Sequence, residues 1–321
     1  MQNINQGSSK VRNLVIGASG QVGEALVRAI ASRNEEVIGT YNEKSIISEF
    51  TDQILPCKLF KLDIQNYKSI ERLLLEVNPD VIFICAANTN VDGCELNPSN
   101  SYDTNVTGLM NIVNAVNEIA INNKRKKEPL IIFYSTDYVF DGNKGLYNES
   151  DITNPINVYG KHKLLSEEFL KTNTKHSIII RTNGVFSSES KNFVGRLVKN
   201  LKNGNEANIS EDEFGTPTYA PDLVDATLRL VDNVGYGLRT EQNKVVNLVG
   251  CGYVSRYQFA QSIAKIFNCD LNLIKPIFSK NLNRPAARPL LGGLCVDLAE
   301  TLISRKMRHY IDCLIEMNKL Q

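Results

Sequence analysis

Val11-Arg12-Asn13-Leu14-Val15-Ile16-Gly17-Ala18-Ser19-Gly20-Gln21-Val22-Gly23 decides how the rest of the chain is read. Val11 to Ile16 reads as a strand. Three glycines spaced Gly-x-x-Gly-x-x-Gly follow at once, and a helical pattern runs on through Ala25, Leu26, Ala29 and Ile30. Strand, glycine turn, helix is the setting in which a glycine motif carries information. Glycines let a backbone approach a pyrophosphate, and a helix N-terminus offers free N–H groups and a favourable dipole. The stretch therefore reads as a nucleotide cradle rather than a plain tight turn.

The same alternation continues. Glu36 to Thr40 reads as a second strand, followed by Tyr41-Asn42-Glu43-Lys44. An acidic residue near this point holds a ribose 2′-hydroxyl in NAD sites. None stands at the expected position, and Lys44 is placed to meet a 2′-phosphate. Lys58 to Leu62 is a short strand ending at Asp63-Ile64, with the Asp able to accept from an adenine amino group. Asn66 caps a helix through Ile70, Leu73, Leu74 and Val77. Val81 to Cys85 is another strand, ending at Ala86-Ala87-Asn88. Small residues there serve either a close cofactor approach or tight packing. Pro98 to Asn123 reads as one long helix with Asn105 on its inner side, where a buried amide needs partners. Ile178 to Arg181 is a further strand. Short apolar strands alternating with helices indicate a parallel sheet.

Leu130-Ile131-Ile132-Phe133-Tyr134 reads as a buried strand of that sheet, ending at Ser135-Thr136-Asp137-Tyr138. Polar groups thus fall where an α/β sheet places its site. Tyr159-Gly160-Lys161-His162-Lys163 opens a helix, with Tyr159 and Lys163 four apart on one face. A tyrosine titrates near 10 and is a poor acid at neutrality. A lysine ammonium one turn away stabilises the phenolate. Tyr159 then becomes a usable acid for a carbonyl, with Thr136 able to hold the same oxygen.

After Arg181 the pattern loosens. Asn192 to Leu201, Pro221 to Val231 and Phe259 to Phe267 read as helices, and Val245 to Val249 as a strand. Asp212 to Tyr219 reads as a loop. Residues 1–180, with 219–250 returning to them, are expected to form the dinucleotide-binding unit. Residues 181–218 and 251–321 are expected to form a smaller α/β lid that binds substrate.

The chain has 321 residues, 42% of them hydrophobic, and a net charge of +1. No global field recruits nucleic acid or membrane. The basic run Lys124-Arg125-Lys126-Lys127 reads as a solvated helix end. Seven scattered cysteines form no Cys-x-x-Cys pair, and three histidines lie far apart, so no metal site is expected. No signal peptide or membrane span is legible, which implies a cytoplasmic setting.

Taken together the motifs resemble the extended short-chain dehydrogenase/reductases, and within them the dTDP-4-dehydrorhamnose reductases and the related regulatory β subunit of methionine adenosyltransferase. The likeness runs from about Leu14 to the helix near Leu302. It rests on Gly17 to Gly23, Cys85 to Asp92 with Glu95, Asn105-Val106-Thr107-Gly108, Ser135 to Gly142, Pro155 to Lys163, and Gly215-Thr216-Pro217-Thr218. Nucleotide-sugar dehydratases would show Thr-Asp-Glu where Tyr138 stands in the Thr136-Asp137-Tyr138 string.

The resemblance implies a Rossmann-type doubly wound sheet with a lid, and NADPH-dependent reduction of a nucleotide-linked 4-keto-6-deoxy sugar, with NADH as the alternative cofactor. It implies catalysis by Thr136, Tyr159 and Lys163. Cofactor contacts would come from Gly17, Ser19, Gly20, Gln21, Val22 and Gly23. Others would come from Asn42, Asp63, Ile64, Ala86, Ala87 and Asn105, besides Tyr159 and Lys163. Sugar-nucleotide contacts would come from Asn88, Val91, Asp137, Tyr138 and Asn183, with Arg288 on the diphosphate. Two departures fall in the substrate half. Arg181-Thr182 is followed by Asn183-Gly184 rather than Ser-Trp, and Arg288-Pro289 by Leu290-Leu291-Gly292 rather than Asn-Ser. A regulatory subunit with a partner enzyme is the second reading, and a nucleotide-sugar epimerase the third. A homodimer is compatible with each.

Overall fold

The computed structural model describes residues 11–43, 57–122, 128–188, 192–235 and 243–320. Lys44 and the basic run 124–127 lie outside them. The first half alternates as expected: β1 (Arg12–Ile16), α1 (Gln21–Ser32), β2 (Glu36–Tyr41), β3 (Cys57–Lys61), α2 (Tyr67–Val77), β4 (Val81–Ile84). Then come α3 (Val91–Leu96), α4 (Pro98–Tyr102), α5 (Gly108–Ile121), β5 (Leu130–Thr136), α6 (Val158–Asn173) and β6 (Ser177–Thr182). The second half holds β7 (Val185–Phe186), α7 (Phe193–Lys202), β8 (Ala207–Ser210), β9 (Phe214–Gly215), β10 (Thr218–Tyr219) and α8 (Ala220–Leu230). It ends with β11 (Lys244–Asn247), β12 (Val254–Ser255), α9 (Arg256–Ile266), β13 (Ile274–Ile277), α10 (Asp297–Ile303) and α11 (Tyr310–Lys319).

Seven strands form one sheet in the order β3-β2-β1-β4-β5-β6-β11, and every pairing is parallel. Consecutive strand residues point to opposite faces, so each strand feeds two cores. Val15, Phe83 and Ile132 pack with Leu26 and Ile30 of α1 and Leu223 of α8. Leu14, Ile82 and Ile131 pack with Leu74 of α2 and Ile112 of α5. The sheet is doubly wound. Strand order reverses between β1 and β4, which opens a crevice at their carboxyl ends.

A third core joins α7, α9 and α11 around Phe186, Ile209, Val254 and Ile274. Small pairs hold this part: β7 with β10, β9 antiparallel to β12, and β8 with β13. The expected loop 212–219 thus contains two short strands. One stretch departs from the expected division of the chain. Ala299 and Ile303 of α10, with Met307, pack into the core beside α1 and α8, on the sheet rather than in the smaller unit.

The expected single helix from Pro98 to Asn123 is interrupted. Asp103–Thr107 forms a π-helical turn between α4 and α5. Such turns are frequent at functional sites, and this one holds the buried Asn105.

Packing at the glycine turn is close. A Cβ on Gly17, whose φ is +90°, would meet the Ala86 nitrogen at 2.6 Å. A Cβ on Gly23 would meet the Gly17 carbonyl oxygen at 2.2 Å. Gly23→Ala is therefore expected to cost about 1–3 kcal/mol, measured by urea unfolding. A variant as stable as the parent would contradict this packing.

Candidate active site

β5 delivers its last residues into a cavity of about 480 Å³ at the crevice mouth. Thr136 caps the turn that follows: its hydroxyl accepts from the Tyr138 N–H at 3.2 Å and donates to Asp137 Oδ1 at 3.3 Å. Across from it α6 begins. Asn157 caps this helix by accepting from the Gly160 N–H at 2.8 Å, and Glu95 Oε2 accepts from the Val158 N–H at 3.0 Å. A Cβ on Gly160 would lie 2.1 Å from the Tyr138 carbonyl oxygen. Glycine there lets α6 press on the turn and brings Tyr159 beside Thr136. The Tyr138 and Tyr159 rings meet edge to face, 6.0 Å apart.

Tyr159 and Lys163 both line the cavity, yet both are largely buried. The Lys163 ammonium donates to the Tyr134 carbonyl at 2.6 Å and lies 3.9 Å over the Phe133 ring. Burial pulls its pKa down to about 7, while Glu167 and Cys85 pull the other way. Burial pushes the Tyr159 phenol up, with Tyr138 and Asp137 adding and Thr136 opposing. Burial, Tyr138 and Asp137 set the direction at Tyr159, while the Lys163 ammonium faces a carbonyl and a ring.

The glycine turn forms the facing wall through Gly20, Gln21, Val22 and Gly23, with Cys85 and Ala87 from the end of β4. The first amides of α1 have no intrahelical partners. A Cβ on Gly20 would meet only the Gly17 carbonyl oxygen, at 3.4 Å. An anionic dinucleotide fits such a cradle. Asn105 works from behind. Its Oδ1 accepts from the Asn88 N–H at 2.8 Å, and its Nδ2 donates to the Asn88 carbonyl at 3.0 Å. Its own carbonyl accepts from Ser166 of α6 at 2.7 Å. Asn105 thus ties the end of β4 to the helix bearing Tyr159. Ser19 is half-buried beside the turn, and Ala86 packs on Gly17. Asn42 and Asp63 are exposed at their strand ends, and Ile64 is buried against Gly108. Asn42, Asp63 and Ile64 do not line the cavity.

The lid side differs from expectation. Val91, Asp137, Tyr138 and Asn183 all line the cavity, and Asp137 is also held by bonds within the protein. At 2% exposure, its Oδ2 accepts from Asn183 Nδ2 at 2.5 Å and from the Gly293 N–H at 3.2 Å. A buried carboxylate requires such donors. Asn183 Oδ1 in turn accepts from the Thr216 N–H at 2.9 Å. The two departures noted in the sequence, at 183 and at 290–292, therefore meet around one carboxylate. Arg288 is likewise committed: it forks onto Asp92 at 2.9 and 2.8 Å, which fixes the 284–289 segment to α3. It is not among the residues that line the cavity.

Arg256 lines the cavity instead. Ser255 and Gln258 form a capping box that sets it at the first turn of α9, and its N–H donates to the Glu213 carbonyl at 2.8 Å. The guanidinium is exposed and lies 4.1 Å over the Phe193 ring. The Glu213 carboxylate acts on it only at longer range, whereas Arg284 is ion-paired with Glu213 and Arg288 with Asp92. No motif announces Arg256. Its one signal is Ser-x-x-Gln, a capping box before a helix.

The fold and the Tyr–Lys helix beside a glycine turn are those of the extended short-chain dehydrogenase/reductases. The chain belongs to the dTDP-4-dehydrorhamnose reductase family, for the family described as RmlD substrate binding domain matches residues 11–320. It is 31% identical to a dTDP-4-dehydrorhamnose reductase of Aggregatibacter actinomycetemcomitans over 90% of this chain and 91% of that one. A crystal structure of a dTDP-4-dehydrorhamnose reductase from Clostridium acetobutylicum superposes with TM-score 0.80 at 28% identity, covering 97% of this chain and 99% of that one. The dTDP-4-dehydrorhamnose reductase of Bacillus anthracis, solved in complex with NADP, shares the fold with TM-score 0.78 at 24% identity, covering 98% and 100%. Among the described residues no helix is long and apolar enough to cross a membrane, and no cluster of side chains could hold a metal ion.

Lys163 carries a measurable consequence. Its folded pKa of about 7 lies below the unfolded value of about 10.4. Between these values the unfolded chain holds the extra proton, so stability rises with pH across that window. Below it the burial cost is carried in full. Denaturant unfolding at a series of pH values is expected to show this rise, and Lys163→Met is expected to flatten it. An equal rise in both proteins would contradict the assignment.

Proposed function

We propose that this protein reduces the keto carbon of a nucleotide-linked 4-keto-6-deoxy sugar at the expense of NADPH, with dTDP-4-dehydrorhamnose the first substrate to test. One observation carries the reading. Thr136, Tyr159 and Lys163 share a cavity wall, with the glycine turn on one side and an unpaired arginine on the lid side. When bound, the nicotinamide supplies a hydride to the carbonyl carbon. Tyr159 gives its proton to the carbonyl oxygen, and Thr136 orients that oxygen from the strand end. Lys163 sits one turn away to stabilise the phenolate left behind. Tyr138, edge-on to Tyr159, borders the sugar. Arg256 meets the diphosphate as a charge-assisted donor. NADPH is favoured over NADH because Thr40-Tyr41-Asn42 at the end of β2 places no acidic group at the position where a ribose 2′-hydroxyl is held. The dTDP-4-dehydrorhamnose reductase of Bacillus anthracis, solved with NADP, points the same way.

A second reading has one observation in its favour. Asp137, expected on the sugar, and Arg288, expected on the diphosphate, are paired internally. An NADP-binding regulatory subunit would tolerate that, whereas a reductase must bind its sugar through other groups.

Two outcomes separate these readings. NADPH consumption with dTDP-4-dehydrorhamnose is expected, and Tyr159→Phe is expected to lower turnover by about 100-fold or more while leaving the protein folded. Arg256→Met is expected to raise KM for the sugar nucleotide by roughly 10-fold with NADPH affinity unchanged. Absence of turnover in the parent protein, with firm NADPH binding, would favour the regulatory reading.

A further inference from the structure

Glu167 continues the face of α6 that carries Tyr159 and Lys163, one turn further on. It is fully buried at 0% exposure, and its partner Arg181 on β6 is at 2%. Arg181 Nε donates to Oε1 at 3.0 Å and Nη2 to Oε2 at 2.6 Å. The Ser135 hydroxyl donates to Oε1 at 2.5 Å. Ser135 directly follows Tyr134, whose carbonyl receives the Lys163 ammonium. Two neighbouring residues of β5 therefore grip two residues one turn apart on α6.

Holding a helix to a sheet does not need charge. Buried ion pairs are often no more stabilising than apolar side chains of the same volume. This carboxylate also takes the Ser135 hydroxyl, next to the residue whose carbonyl receives the ammonium. We infer that Glu167 is the positioning residue of Lys163: through Ser135 it fixes the strand end that receives the ammonium. The inference rests on the role given to Lys163 above. The groups facing Lys163 are Phe133 and Tyr134 from β5, Cys85 at the end of β4, and Tyr159 and Glu167 on its own helix. Of the charges that act on it, Glu167 is the larger opponent of burial.

The test reads Lys163 directly. Protein labelled with carbon-13 at the lysine Cε is titrated by NMR, and the Lys163 signal is assigned by its loss in Lys163→Met. Glu167→Gln is compared with the double variant Glu167→Gln, Arg181→Leu, which leaves no lone charge buried if the single variant fails to fold. The parent midpoint is expected near 7, and both variants are expected to titrate lower by about one pH unit or more. A midpoint unmoved in folded variant protein would overturn the inference and leave Glu167 as a mere staple. No substrate enters the measurement, so it stands or falls apart from the turnover assay.

Discussion

The bond from the Lys163 ammonium to the Tyr134 carbonyl sets the register of the whole site. It locks one turn of α6 to the carboxyl end of β5. With that register fixed, Tyr159 falls beside Thr136 on one side and Glu167 falls beside Ser135 and Arg181 on the other. Sliding the helix by one residue would break all three pairings together. Gly160 permits the approach, since any side chain would strike the Tyr138 carbonyl.

Around that register the fold supplies two walls. The reversal of strand order between β1 and β4 opens the crevice, and the glycine turn edges it with unpaired helix amides. Asn105, in its π-helical turn, joins the β4 end to α6 through Asn88 and Ser166. The wall contributed by the smaller unit is held by polar knots beside the apolar core around Phe186 and Val254. Asp137 gathers Asn183 and Gly293, Asp92 gathers Arg288, and Glu213 gathers Arg284. Arg256 is the cation these knots leave open to the cavity.

The sheet was legible in the sequence because its strands are continuous apolar runs that end in polar or small residues. Asn66 announced its helix as a cap. Tyr159 and Lys163 were legible only with the glycine turn upstream and the strand ending at Thr136 beside them, and the structure brings all three to one cavity. Long-range pairing was not legible. Arg288 and Asp92 are 196 residues apart, and nothing local distinguishes a paired arginine from a free one. Two-residue strands such as Phe214–Gly215 carry no periodicity to read. The π turn escaped because its cause is a side chain bonded to another element. The raised Tyr159 pKa escaped because burial, which decides its sign, is a property of the packed site.

The central claim is that Tyr159, Lys163 and the glycine turn form one hydride-transfer site. Isotope transfer tests it most directly. NADPH carrying deuterium at the transferring position of its nicotinamide is mixed with the protein and dTDP-4-dehydrorhamnose, and the sugar product is weighed by mass spectrometry. A product that carries the label on the reduced carbon is the expected result. Unlabelled product, or a keto sugar recovered unchanged, would contradict it.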